Sequence, residues 1–184
     1  MEDRIGSVLQ GGKPLFVIGD LIVYGSEGVC RVDDIGVPSL AGVNKERQYY
    51  TLKPLYREGR VFVPVDAAVF MRPVITREDA DALIRRIPEI EPEVYENSNL
   101  RFLNEYYQTQ LQNYSCEGLL KLIRSTHAKR EVMRGRGKKL GLVDERYMKR
   151  AQDMLHGEFA VALGIERGEV PDYSHAKLEQ LQPA

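Results

Sequence analysis

The chain changes its period at Ile75. From Phe16 to that point Val, Ile, Tyr and Phe dominate and turns fall at short intervals, which is the text of short strands. Beyond it, apolar residues recur three and four apart, the spacing of helices. A 184-residue chain has room for one ordinary domain or two small ones, and the break selects two. The expectation is an α+β protein: a small SH3- or Tudor-like β-barrel followed by an all-α helical domain.

Strands are expected over 16–24, 29–35, 47–55, 61–65 and 71–75. Gly25-Ser26-Glu27-Gly28 and Arg57-Glu58-Gly59-Arg60 suit tight turns between them, since glycine accepts positive φ. So many short strands in sixty residues curl into a barrel more readily than they stack as an open α/β sheet. The first fifteen residues, with Gly11-Gly12-Lys13-Pro14, read as a flexible leader.

In the second half, Thr76-Arg77-Glu78-Asp79 is a capping box with Asp in place of Glu, and Pro88 ends the helix it starts. A second helix beginning near Asn97-Ser98 carries Leu100, Leu103, Tyr107 and Leu111 in one stripe. Ser115 caps a third helix holding Leu119, Leu120, Leu122 and Ile123, and a fourth runs from about Val143 to Leu163 before Gly164. The glycines of Arg134-Gly135-Arg136-Gly137-Lys138-Lys139 mark a connection between these two. Residues 166–184 read as a tail or one short helix.

Few chemistries fit these residues. His127, His156 and His175 lack ligand spacing and read as isolated surface histidines. Cys30 and Cys116 are too far apart for a metal knuckle or a redox pair and read as buried, unpaired thiols. Asp33 and Asp34 are neighbours on a strand and point to opposite faces. No metal, cofactor, small-molecule substrate or enzymatic activity is expected. The longest apolar runs fall well short of the roughly 20 residues that span a bilayer, and Met1-Glu2-Asp3-Arg4 opens unlike a signal peptide. The expectation is a cytoplasmic protein without a membrane partner.

Charge is unevenly placed. The net charge is -1, yet residues 116–150 carry eleven Lys and Arg against four Asp and Glu, and both flanking segments are acidic. Lys121, Arg124, Lys129, Arg130, Arg134, Arg136, Lys138, Lys139, Arg146, Lys149 and Arg150 gather around one helix-loop-helix junction. Such a run neutralises phosphates in some proteins and is only a solvated face in others.

The order Phe16, Gly19-Asp20, Val23-Tyr24, Gly28, Ile35, Tyr50-Thr51-Leu52, Val63-Pro64-Val65 and Arg72-Pro73-Val74-Ile75 resembles the CarD/CdnL family of bacterial transcription regulators, whose N-terminal domain also occurs in the transcription-repair coupling factor. Leu119 to Arg124, Glu145-Arg146-Tyr147-Met148, Ala151, Leu155 and Gly157-Glu158-Phe159-Ala160 are similar to that family's helical domain. The resemblance spans about residues 16–163.

It implies a Tudor-like RNA polymerase-interacting domain over 16–75, docking on the β subunit through Val61, Phe62, Val63 and Pro64. It also implies a helical domain over 76–165 that meets promoter DNA, minor groove and phosphates, at the upstream edge of the bubble and stabilises the open complex. The DNA contacts it implies are Leu100, Arg101, Phe102, Lys121, Arg124, Arg130, Arg146, Lys149 and Arg150.

Three departures stand out. The family's wedge is a tryptophan, this chain has none, and its place falls on Leu100, which is a wedge in one reading and a core residue of the stripe in the other. A basic residue expected five positions on is Glu105, and two arginines that some members use against polymerase fall on Pro38 and Phe62. Phe62 is an interface anchor or an inward core residue. An adaptor that binds polymerase or another protein without touching DNA is the alternative.

Overall fold

The computed structural model describes residues 15–111 and 114–180. The chain divides into two compact units, one up to Val74 and one from Ile75. The expected leader lies outside the described residues, apart from Leu15. That residue is tied down: its N–H and that of Phe16 both donate to the Tyr50 hydroxyl, at 2.9 and 3.2 Å.

The first unit is a five-stranded antiparallel sheet of β1 (Leu21–Tyr24), β2 (Gly28–Gly36), β3 (Tyr49–Pro54), β4 (Val61–Pro64) and β5 (Met71–Pro73), in the order β4-β3-β2-β1-β5. The first expected strand starts five residues late. Asp20 takes the Val17 N–H on its carboxylate at 2.8 Å, and Gly19 turns with φ +96°, so residues 17–20 form a turn. Phe16, Ile22, Cys30, Val32, Tyr50, Leu52, Val63 and Met71 make the core on one face.

The expected closed barrel is replaced by an open sheet. Among the described residues β4 and β5 pair with β3 and β1 respectively and not with each other. The edges are too short to close the gap, since β5 has three residues and ends at Pro73, which has no N–H to donate. The sheet nevertheless bends. β2 carries a bulge, with Val32 opposite Leu52 and Asp34 opposite Thr51, which leaves Asp33 unmatched.

Cys30 and Cys116 are both buried, and neither is in a disulfide. Burial, with Glu27 nearby, pushes the Cys30 thiol up to about 12, against a pull in the other direction from Arg57. The folded chain is therefore expected to leave Cys30 unmodified by iodoacetamide at mildly alkaline pH, while the urea-unfolded chain reacts. The linkage has a definite sign. Below the ordinary thiol value of 9.0 Cys30 holds its proton in both states; above it the unfolded chain loses the proton first, and stability falls until the folded thiol also ionises near 12.

The second unit is five helices: α1 (Arg77–Arg86), α2 (Leu100–Leu111), α3 (Cys116–Gly135), α4 (Leu142–Leu163) and α5 (Val170–Glu179). Thr76 and Asp79 form the expected capping box, Ser115 accepts the Gly118 N–H at 3.1 Å, and Gly164 ends α4 with φ +68°. Helix α3 runs on through Arg134 and Gly135, so the connection to α4 is shorter than the glycines suggest.

The core lies where α3 and α4 pack, with Leu119, Leu122, Ala151, Phe159 and Leu163 buried. Leu103, Tyr107 and Leu111 join it from α2. Helix α5 docks through buried Val170, and its Tyr173 hydroxyl donates to Asp81 on α1 at 2.8 Å.

Two buried polar clusters fix the helices to one another. Asp144, in the first turn of α4, accepts from the Tyr107 hydroxyl at 2.6 Å and from the Lys129 ammonium at 2.8 Å. Burial, and then the Asp144 carboxylate, hold the Tyr107 phenol well above its ordinary range. Glu158, almost fully buried, accepts the Ile75 N–H and the Cys116 thiol, both at 3.1 Å.

Candidate functional site

In the sheet unit, strand alternation divides the expected contact residues. Val63 points into the core and is 3% exposed, and Val61 packs against that core. Phe62 and Pro64 lie outside that core cluster.

Phe62 lines an open concavity of about 710 Å³ together with Ile18, Pro38, Leu40, Thr51 and Arg60. Phe62 is half-buried there, on the face away from the core. Pro38 and Phe62, distant in sequence, share this one hollow. At its margin the Arg31 guanidinium donates to Asp33 at 2.7 Å and holds that carboxyl below the usual range. Arg60 has no ion pair among the described residues. Beside the hollow, β4 is an edge strand, which among the described residues forms a ladder with β3 alone.

In the helical unit, Leu100 is the first residue of α2 and is 61% exposed, and Phe102 is 52% exposed. The stripe that contains Leu103, Tyr107 and Leu111 is core, but its expected first member is not. Leu100 lies outside the packed core that Leu103, Tyr107 and Leu111 join.

Asn104 ties this corner to α4. Its amide nitrogen donates to the Leu100 carbonyl at 2.7 Å, and its amide oxygen accepts from the Arg146 guanidinium at 2.6 Å and from the Tyr147 hydroxyl at 3.2 Å. Arg146 also lies over the Tyr147 ring, 5.2 Å from its centroid. Leu100 and Arg146 therefore stand side by side, and exposed Arg150 follows one turn along the same face of α4.

The rest of the expected basic surface is dispersed. Arg101 pairs with Glu105 at 3.0 Å and Lys121 with Glu93 at 3.2 Å. Lys149 pairs with Asp153 at 2.6 Å, and Arg136 with Glu96 at 2.9 Å. Lys129 is removed from the surface altogether by Asp144. Arg124 lines a cleft on a different face of the unit, and by helical spacing Arg146 and Arg150 turn away from the α4 residues that line it. Arg130 is half-buried. The eleven-residue cluster in the sequence is thus several small surfaces.

Sequence reasoning missed Asn104, which is polar inside a helix and has no motif around it. It also missed the Asp144 cluster, whose three members lie on three helices. Among the described residues no group of three His, Cys, Asp or Glu is placed to hold a metal, and no helix is long and apolar enough to cross a membrane.

Residues 16–75 match the family model described as the CarD-like/TRCF RID domain. This is the RNA polymerase-interacting domain found in CarD/CdnL proteins and in TRCF, and the chain is consistent with a CarD-like protein. A comparison with curated proteins finds no match.

Proposed function

We propose, from the RNA polymerase-interacting domain over residues 16–75, that this chain is a non-enzymatic transcription regulator. Its sheet unit docks on the polymerase β subunit through the Phe62 hollow and the β4 edge. Its helical unit meets promoter DNA near the upstream edge of the bubble and stabilises the open complex. The domain match carries the reading. Two features support the finer parts: an aromatic side chain beside an unpaired strand edge, which suits main-chain addition of a partner strand, and an exposed apolar corner at Leu100 flanked by Arg146.

Phe62 tests the first contact. Phe62→Ala is expected to weaken binding to core polymerase by about 1 to 3 kcal/mol, because a half-buried aromatic ring loses its contact with the partner. Titration of the full chain against purified core polymerase measures it. Equal affinities for the two proteins would move the interface away from this hollow.

Leu100 tests the second. An exposed aliphatic residue contributes little to folding, so Leu100→Ala is expected to change stability by no more than about 0.5 kcal/mol while shortening the open-complex lifetime. Leu100→Trp is expected to lengthen that lifetime, because an indole offers more surface to an unstacked base step. Lifetimes independent of residue 100 would favour the second reading, an adaptor without DNA contact. That reading has its own observation: Glu105 engages Arg101 and puts a carboxylate beside the wedge position.

A further inference from the structure

Between α3, α4 and the start of α5 the helical unit leaves an open-sided cleft of about 630 Å³. This lies within the roughly 300–1,000 Å³ of small-molecule sites. Its lining is largely apolar: Leu120 and Ile123 from α3, Leu155 and Phe159 from α4, and Val170 from α5. Besides Gln152, Glu131 and Ser174, one guanidinium and two imidazoles interrupt it. Arg124 and His127 stand one turn apart on α3, and His156 lines it from α4.

Two observations distinguish this cleft from an ordinary gap between helices. The Arg124 Nε is buried and has no hydrogen-bond partner. Native proteins seldom leave a buried donor unsatisfied, because the desolvation is then uncompensated. The acid among the lining residues, Glu131, is engaged by Arg134, and Arg124 has no ion pair among the described residues. A guanidinium lacking an acceptor therefore stands beside an apolar floor.

We propose that this cleft binds a small organic anion, a carboxylate joined to an apolar body, with the carboxylate on Arg124 between the two histidines and the body on Leu155 and Phe159. The charge of the site is complementary to such a ligand, and its floor matches the rest of the molecule. The site shares no residue with the Leu100 corner and does not depend on the proposed contact with DNA.

The histidines report occupancy. Both are held below the ordinary imidazole value, chiefly by partial desolvation, His156 half-buried and His127 more open to solvent. Arg130 lowers His127 further while Glu131 opposes it. Lys149 and Arg167 lower His156, and Asp153 opposes them. A bound carboxylate favours the imidazolium, so both histidines titrate higher when the cleft is filled, and binding tightens as pH falls through their range.

The test uses the full chain with labelled histidines, followed by NMR, and three probes of one length: octanoate, octylamine and 1-octanol. Octanoate is expected to bind saturably, to move the His127 and His156 ring signals and to raise the pKa of both. Octanol is expected to bind roughly tenfold more weakly, and octylamine not to bind. Arg124→Gln is expected to weaken octanoate by roughly ten- to a hundredfold and leave octanol unchanged. Octanoate binding no better than octanol, or octanoate shifts that bypass both histidines, would overturn the proposal. The wild-type comparison of probes decides this even if the Arg124 variant does not fold.

Discussion

Asp144→Ala is expected to destabilise the helical unit by about 3 to 5 kcal/mol, the cost of breaking a buried ion pair by removing one partner. The carboxylate accepts both the Lys129 ammonium and the Tyr107 hydroxyl, and the Lys129 and Asp144 side chains are only 6% and 4% exposed. Its loss strands the Lys129 charge in a closed site and leaves the Tyr107 hydroxyl with Thr126 in place of the carboxylate. The double variant Asp144→Ala/Lys129→Met removes the stranded charge and is expected to recover most of that loss, because an apolar replacement of a buried pair is often neutral or stabilising. Urea unfolding followed by the helical circular-dichroism signal measures both. A single-variant loss under about 1 kcal/mol, typical of exposed pairs, would show that water reaches the cluster.

The second large effect concerns DNA. Arg146→Glu/Arg150→Glu is expected to reduce the salt dependence of binding by roughly two contacts' worth of slope, near 0.9 for each phosphate lost. Affinity at low salt should fall by roughly tenfold or more. These two are chosen because they are exposed on one face beside Leu100, whereas Lys149 is already paired with Asp153. Arg146 also bonds Asn104 and covers Tyr147, so Arg150→Glu alone separates loss of charge from disturbance of that corner. An unchanged slope with the fold intact would mean that this face is only solvated.

The division at Ile75 was legible because a period of two and a period of 3.6 are physically distinct. The helix caps at Thr76, Ser115 and Gly164 were legible because each relies on local hydrogen bonds or on a local φ. Failure began where distant residues decide. The sheet's openness depends on which edges pair, and a three-residue β5 gives too weak a signal to settle that from sequence.

Leu100 fell in a continuous apolar stripe, yet it lies outside the core that the rest of the stripe joins. Lys129 looked like any surface lysine until Asp144, fifteen positions on, folded over it. Arg124 counted with the basic run in sequence and stands apart from Arg146 in space, because α3 and α4 present different faces. In each case the missing information is long-range packing.

The open sheet also bears on self-association. An exposed, flat strand edge is a template on which like edges zip together into aggregates, and stable folds avoid long ones. Here one edge has four residues and finishes at Pro64, the other has three and finishes at Pro73. Neither proline can supply a ladder N–H. Each edge can therefore register only a few residues of an added strand, too few to hold two copies of this chain together without side-chain contacts. A strand is retained there only if its side chains also fit the neighbouring hollow, so the short edges that leave the barrel unclosed also restrict what can complete it.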